Sequence, residues 1–283
     1  MPRLRKPIKP LKYPIGQEYA YRRILLRLTN TYKQVLKKNM SPHVVSMATE
    51  ATAFHLPTGE IVRQDAAGWE DELRQVMQRI TKDMIGPTNV AIRQMQVIGP
   101  HVNQYNKDNW TSLVRSQYAV NPILPEDKEK YQALLNNWSR NNSLLIKDIP
   151  FKTSNQIAEQ TRKALIDGTN LKDTTDAIFN IMAERTDVSD SRAKLIARDQ
   201  VSKLNGQLTM ERQTDLGVES YIWRTVGDER VREEHDILDG ETFSWDSPPE
   251  PGHPGEDYQC RCWAEPILPE FVAFEASLLE EAA

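Results

Sequence analysis

The spacing of apolar residues changes once along this chain, near Gly217, and that change limits what it can fold into. Upstream, apolar side chains recur at three- and four-residue steps, the spacing of one helix face. Downstream, Glu219 to Val226 is rich in β-branched and aromatic residues and reads as a strand. Phe243 and Trp245 alternate with polar neighbours as a second short strand, and Gln259 to Ala264 holds a third. Ser247 to Pro254 carries four prolines and a glycine, which makes it an irregular loop. The pattern predicts a mainly α protein with a small C-terminal α+β module and an elongated helical N-terminal region.

The helical part divides at glycine and proline. Helices are expected over 17–39, 68–85 and about 126–141. Two more are expected over 151–167, closed by Gly168, and 170–184, opened by Asn170. A further helix over 189–213 carries Ala193, Ala197, Val201, Leu204 and Leu208 on one stripe, a core-facing face. Gly86-Pro87 reads as a break and Gly99-Pro100 as the end of the next helical piece. The stretch from His43 to Val62 fits no single pattern, with Pro57-Thr58-Gly59 as a turn. Asn121-Pro122-Ile123-Leu124-Pro125 is the strongest boundary signal in mid-chain. The expected organisation is a basic, proline-spaced arm over 1–16, helical regions over 17–120 and 121–215, an α+β module over 216–270, and an acidic tail over 271–283.

Charge narrows the functional classes. The net charge is −4, yet the arm carries Arg3, Arg5, Lys6, Lys9 and Lys12 with no acidic residue. Its Leu4, Ile8, Leu11 and Ile15 supply apolar anchors suited to docking on something larger. The mildly acidic body argues against a globally basic DNA-binding domain, which leaves weak phosphate contact through residues 3–12. No apolar stretch reaches the roughly 18 to 20 residues that a membrane helix needs. No apolar segment follows the basic start, so a signal peptide is not expected and the place of synthesis, a cytoplasm, is.

The chemistry concentrates in one stretch. Cys260 and Cys262, the two cysteines of the chain, lie close to His235 and His253. One residue apart, the cysteines are badly placed for a disulfide with each other. Two imidazoles and two sulfurs form a zinc-type donor set, and a loop-rich module gains from a metal what its core cannot supply. Asp239 is the candidate carboxylate to orient an imidazole. Cys-x-Cys is closer than the usual zinc spacing, and the same residues also read as a hydrogen-bonded turn with two small buried thiols. Leu238-Asp239-Gly240 is a turn signature. Arg230, Arg232 and Arg261 have Asp228, Glu233, Glu234 and Asp257 nearby, so internal ion pairing is favoured over anion binding.

Asp228-x-Arg230-Val231-Arg232-x-x-His235-x-x-Leu238-Asp239-Gly240, followed by His253-Pro254 and Cys260-Arg261-Cys262, resembles the C-terminal signature of the Mu F-like phage head-morphogenesis proteins. Ser143 to Ile149 and Arg192 to Arg198 are also similar to that family, so the resemblance covers residues 120–265. Asp199-Gln200 departs from the Thr-Glu that often follows the arginine matching Arg198. The resemblance implies a low-copy structural protein of the virion, inside the head during assembly and associated with the portal. Its implied partners are the portal protein and the major capsid or scaffold protein. Its implied work is head formation and DNA packaging, retention or delivery.

The resemblance implies no enzyme. Four Cys and His ligands would fill a metal's coordination shell, and the sequence holds no glycine-rich phosphate loop, G-x-S-x-G or H-E-x-x-H. The alternatives are a metal-dependent nuclease-like domain and a DNA-binding accessory protein.

Overall fold

A computed structural model describes residues 8–52, 67–118 and 129–270. The expected turn at Pro57, the boundary at Asn121 to Pro125, the start of the arm and the acidic tail lie outside those residues. The chain forms α1 (Ile15–Thr52), α2 (Ala67–Met95), α3 (Ile98–Tyr118), α4 (Glu129–Asp167) and α5 (Leu171–Asp215). There follow β1 (Ser220–Arg224), the single turn α6 (Glu233–Asp236), β2 (Thr242–Ser244) and β3 (Trp263–Pro266). The chain is therefore mainly α with a small α+β module at its C-terminal end.

The helices run further than the prolines suggest. Pro42, Pro87 and Pro150 all lie inside helices. An internal proline removes one backbone hydrogen bond and crowds the preceding turn, at a cost of about 3 kcal/mol. In α2 the buried stripe Ile80, Met84, Ala91 and Met95 stays in phase across Pro87. In α4 the buried row Ile146, Ile149, Thr153 and Ile157 does the same across Pro150. Burying such a row contributes about 1.5–3 kcal/mol per large side chain and outweighs the local cost. The expected break at Gly86-Pro87 and the expected new helix at 151 are thus both corrected. Pro100 falls in the first turn of α3, where its missing N–H costs nothing, so Gly99-Pro100 opens a helix instead of ending one.

The helices expected over 170–184 and 189–213 are one, α5. Its start follows the cap read from the sequence: Asn170 Oδ1 accepts the amide of Asp173 at 2.9 Å. Between the two expected pieces, the buried Thr186 hydroxyl donates to Met182 O at 3.0 Å within the helix. The stripe Ala193, Ala197, Val201, Leu204 and Leu208 is completely buried.

Two units make up the chain. One comprises residues 22–95 and 141–196. Its interior includes the bond between Tyr32 Oη and Ser154 Oγ at 2.9 Å, and His43 Nδ1 meets Glu72 Oε1 at 2.6 Å. The other comprises residues 1–21, 96–140 and 197–283, and it contains the whole sheet. Here Trp110, Leu113, Val114 and Tyr118 of α3 cluster with Leu216, Val218 and Leu268, and Ile8 and Leu11 pack against that cluster. The buried Arg212 donates to Asn106 Oδ1 at 2.7 Å and lies over the ring of Tyr131 at 4.9 Å.

The sheet is antiparallel in the order β2-β1-β3. β1 pairs Tyr221 with Phe243 on one side, and Trp223 with Ala264 on the other. The two-residue period sends Tyr221 and Trp223 to the same face, where both are completely buried. They form a second core with Trp245, Cys260 and Ala264, against which Met210, Leu238, Phe243 and Cys262 pack.

Candidate functional site

The residues that carry chemistry converge beside that second core. His235 sits in α6, and the segment Asp257 to Cys262 leads into β3. His235 and Cys260 are buried and Cys262 is half-buried. His235 Nδ1 lies 3.6 Å from Cys260 Sγ and 3.5 Å from Cys262 Sγ. On the opposite edge of the ring, Nε2 lies 3.1 Å from Asp257 Oδ2. A carboxylate accepts only, so Nε2 carries the proton and a neutral ring turns the Nδ1 lone pair toward both sulfurs. Trp223 holds the imidazole edge to face, with centroids 5.5 Å apart.

The loop that carries the cysteines is held from α5. Asp199 Oδ1 accepts the amide of Gln259 at 3.0 Å, and Ser202 Oγ donates to Cys260 O. A Cβ added at Gly206 would meet Pro254 O at 2.7 Å, so glycine lets the loop backbone lie directly on the helix. Gly255 takes φ +96° at that approach, and Gln259 adopts the left-handed region at φ 55°. Asp199, Ser202 and Gly206 fall on one helical face. This face lies opposite the core-facing stripe from Ala193 to Leu208, and Asp199 is the position where the chain departs from Thr-Glu. A glycine and two short hydrogen-bonding residues at three- and four-residue steps were the available signal.

Backbone donors converge on Cys260. Its Sγ accepts the amides of Gly255 and Cys262, each at 3.4 Å. Hydrogen bonding with Cys262 draws the Cys260 thiol down to about 6, and the two backbone amides act in the same direction against burial. Cys262 moves the other way, because the Cys260 hydrogen bond and burial both oppose its ionisation. The pair thus takes up one negative charge far more readily than two.

Of the four residues grouped from the sequence, the structure brings together His235, Cys260 and Cys262, whose ligand atoms lie within 4.8 Å of one another. His253 is placed elsewhere. Its Nδ1 bonds Tyr221 Oη at 2.8 Å, and its ring packs on Trp245 at 4.8 Å. Burial lowers the pKa of His253 against the opposing pull of Glu256, which favours its neutral form. The carboxylate that orients His235 is Asp257, not Asp239. Asp239 Oδ1 instead accepts the amide of Thr225 at 2.7 Å.

The arginines are paired internally, as expected. Arg261 grips both oxygens of Asp228, while Arg232 donates to Asp257 and to Tyr258 O. Arg230 reaches Asp228 at 3.4 Å. A further contact went unread: the buried Gln213 donates to Ala264 O at 3.0 Å and accepts Trp245 Nε1 at 3.2 Å, tying β3 to α5.

Residues 155–265, from within α4 through the sheet, match the family described as phage Mu protein F like protein. A Haemophilus influenzae protein described as "Uncharacterized protein" is 36% identical over 249 residues, covering 84% of this chain and 52% of that relative. The chain therefore spans about half the length of the curated relative it matches. No solved structure matches it. Residues 155–265 are thus a region of the phage Mu protein F like family.

Proposed function

We propose that this chain is a minor head protein, a structural component of the capsid interior that associates with the portal. In this reading it assembles in the host cytoplasm and acts in head morphogenesis and in packaging, retention or delivery of the DNA. The observation that carries the reading is the family match over residues 155–265. The internally satisfied arginines support a structural role, since Arg232 and Arg261 are committed to Asp257 and Asp228 and are not free to grip a substrate anion. Among the described residues, no helix is long and apolar enough to cross a membrane.

The arm divides into two parts with different work. Ile8 and Leu11 pack on the α3 cluster, and Tyr13 Oη donates to Arg198 O at 3.4 Å. These residues belong to the fold of their own unit, so docking on the portal or on the major capsid or scaffold protein is assigned to Arg3, Arg5 and Lys6. The test is co-production with the portal protein of the same phage. The chain is expected to co-purify with the portal and to be present in virions, and replacing Arg3, Arg5 and Lys6 by Glu is expected to weaken that association. A chain that neither binds portal nor enters virions would end the assignment. Unchanged binding of the triple variant would end the docking role of the arm alone.

A further inference from the structure

We propose that His235 Nδ1, Cys260 Sγ and Cys262 Sγ are three ligands of one tetrahedral, zinc-class divalent ion. The ion would fasten α6 to the segment entering β3. The inference stands on the geometry of the module and is independent of the portal reading.

Distance is the first argument. Zinc binds thiolate at about 2.3 Å and imidazole at about 2.0–2.1 Å, so the nitrogen-to-sulfur edge of its tetrahedron is about 3.5–3.6 Å. The two observed separations are 3.5 and 3.6 Å. Both sulfurs are equivalent with respect to one nitrogen, which is the arrangement a shared ion imposes. A hydrogen bond from a thiol needs only one of them.

The surroundings of the ligands agree. Asp257 holds Nε2 at 3.1 Å, the outer carboxylate that fixes the tautomer and raises the basicity of a metal-bound imidazole. Two backbone amides point at Cys260 Sγ, as suits a sulfur carrying thiolate charge. His235 stands 25 residues before Cys260, so one ion would close a long, loop-rich stretch whose own core is small.

Two rival uses of the same residues are weaker. Glu234, His235 and Asp257 also lie within 4.8 Å of one another, but Glu234 is exposed and Asp257 is already neutralised by Arg232. A cation gains little from a carboxylate that an arginine holds. A nucleophilic cysteine activated by His235 and Asp257 would need one accessible sulfur, whereas Cys260 is 3% exposed and Cys262 competes for the same nitrogen. With His253 committed to Tyr221, the described residues bring three ligands together and not four. The three line a cavity of about 210 Å³ together with Arg198 and Arg230, which leaves room for a fourth ligand from solvent.

The test uses the full chain, purified under reducing conditions from zinc-supplemented medium. Elemental analysis is expected to find a single zinc per chain, and chelation is expected to lower the melting temperature. Zinc-edge X-ray absorption should count two sulfurs and one imidazole. Cobalt exchanged for zinc should give intense visible bands of tetrahedral coordination with thiolate charge transfer. Cys262→Ser and His235→Gln should lose the ion, and His253→Gln should keep it. Wild-type protein that takes up neither zinc nor cobalt overturns the proposal. A count of two imidazoles, read on wild-type protein and so independent of how any variant folds, overturns the ligand assignment. Fast alkylation of one cysteine, equal with and without chelator, also overturns it and points to the nucleophile.

Discussion

Asp228 and Asp257 each hold an arginine, but removing them should have different signatures. The bidentate Arg261 contact keeps the Asp228 carboxyl at about 2, below its ordinary 3.8. The folded state therefore binds this proton less readily than the unfolded chain. The resulting stabilisation is present above pH about 4 and is lost as the pH falls toward about 2. Urea midpoints followed from pH ~6 to ~2 should fall less steeply in Asp228→Asn than in wild type, and equal slopes would show that the pair has no part in acid stability. Asp257 acts on the orientation of His235. Asp257→Asn should weaken zinc retention in a chelator competition by about 10–100-fold, the usual effect of losing an outer-shell carboxylate, while leaving a folded module by circular dichroism. Gln213 is a third kind of residue, with no charge and complete burial. Gln213→Ala strands Ala264 O and the Trp245 indole N–H, and the loss in unfolding free energy should be about 1–3 kcal/mol. A loss within experimental error would mean that water replaces the amide.

At the scale of elements, two helix glycines separate propensity from packing. Gly16 lies in the first turn of α1 with open space where a Cβ would sit, so Gly16→Ala should raise stability by about 0.4–1 kcal/mol. Gly206 lies inside α5 against Pro254 O, and Gly206→Ala should instead lower stability by about 1–3 kcal/mol despite the same gain in propensity. Thermal melts of the two variants should move in opposite directions. If both rise, the loop does not rest on α5. This contrast also explains what could be read in advance. The stripe from Ala193 to Leu208 and the alternation at Tyr221 and Trp223 were legible because burial imposes a period on the sequence. Pro87 and Pro150 misled because a local rule was outweighed by a buried row that continues in phase on either side. In the site, composition pointed to His235, Cys260 and Cys262. The path of the loop decided the rest: left-handed backbone at Gly252, Gly255 and Gln259 turns His253 toward Tyr221 and brings Asp257 beneath His235. No spacing rule in the sequence encodes that path.

For the whole molecule, charge decides how the chain can meet DNA. A net charge of −4 gives no general attraction to phosphate, and Arg232 and Arg261 of the module are held by Asp257 and Asp228. Two stretches carry basic residues with no acidic one: the arm, with Arg3, Arg5, Lys6, Lys9 and Lys12, and residues 19–49, with Arg22, Arg23, Arg27, Lys33, Lys37 and Lys38. Lys33 is held by Asp190, and the arm is the stretch assigned to phosphate. Each phosphate neutralised contributes about −0.9 to the slope of log K against log salt on duplex DNA. Contact through the five residues of the arm therefore caps the slope at about −4.5, too shallow for a sequence-specific binder of several contact rows. Filter binding of the full chain across a salt series should give weak retention with a slope no steeper than that, and replacing all five residues by Gln should flatten it. A slope that survives the replacement would move the DNA contact either to the basic residues of α1 or to the module, and on the module it would require Arg230 or the arginines now paired with Asp228 and Asp257 to release their carboxylates. That release would leave Asp228 without Arg261 and raise its pKa toward the ordinary value, so the same variant measured in acid would report which surface the DNA had used.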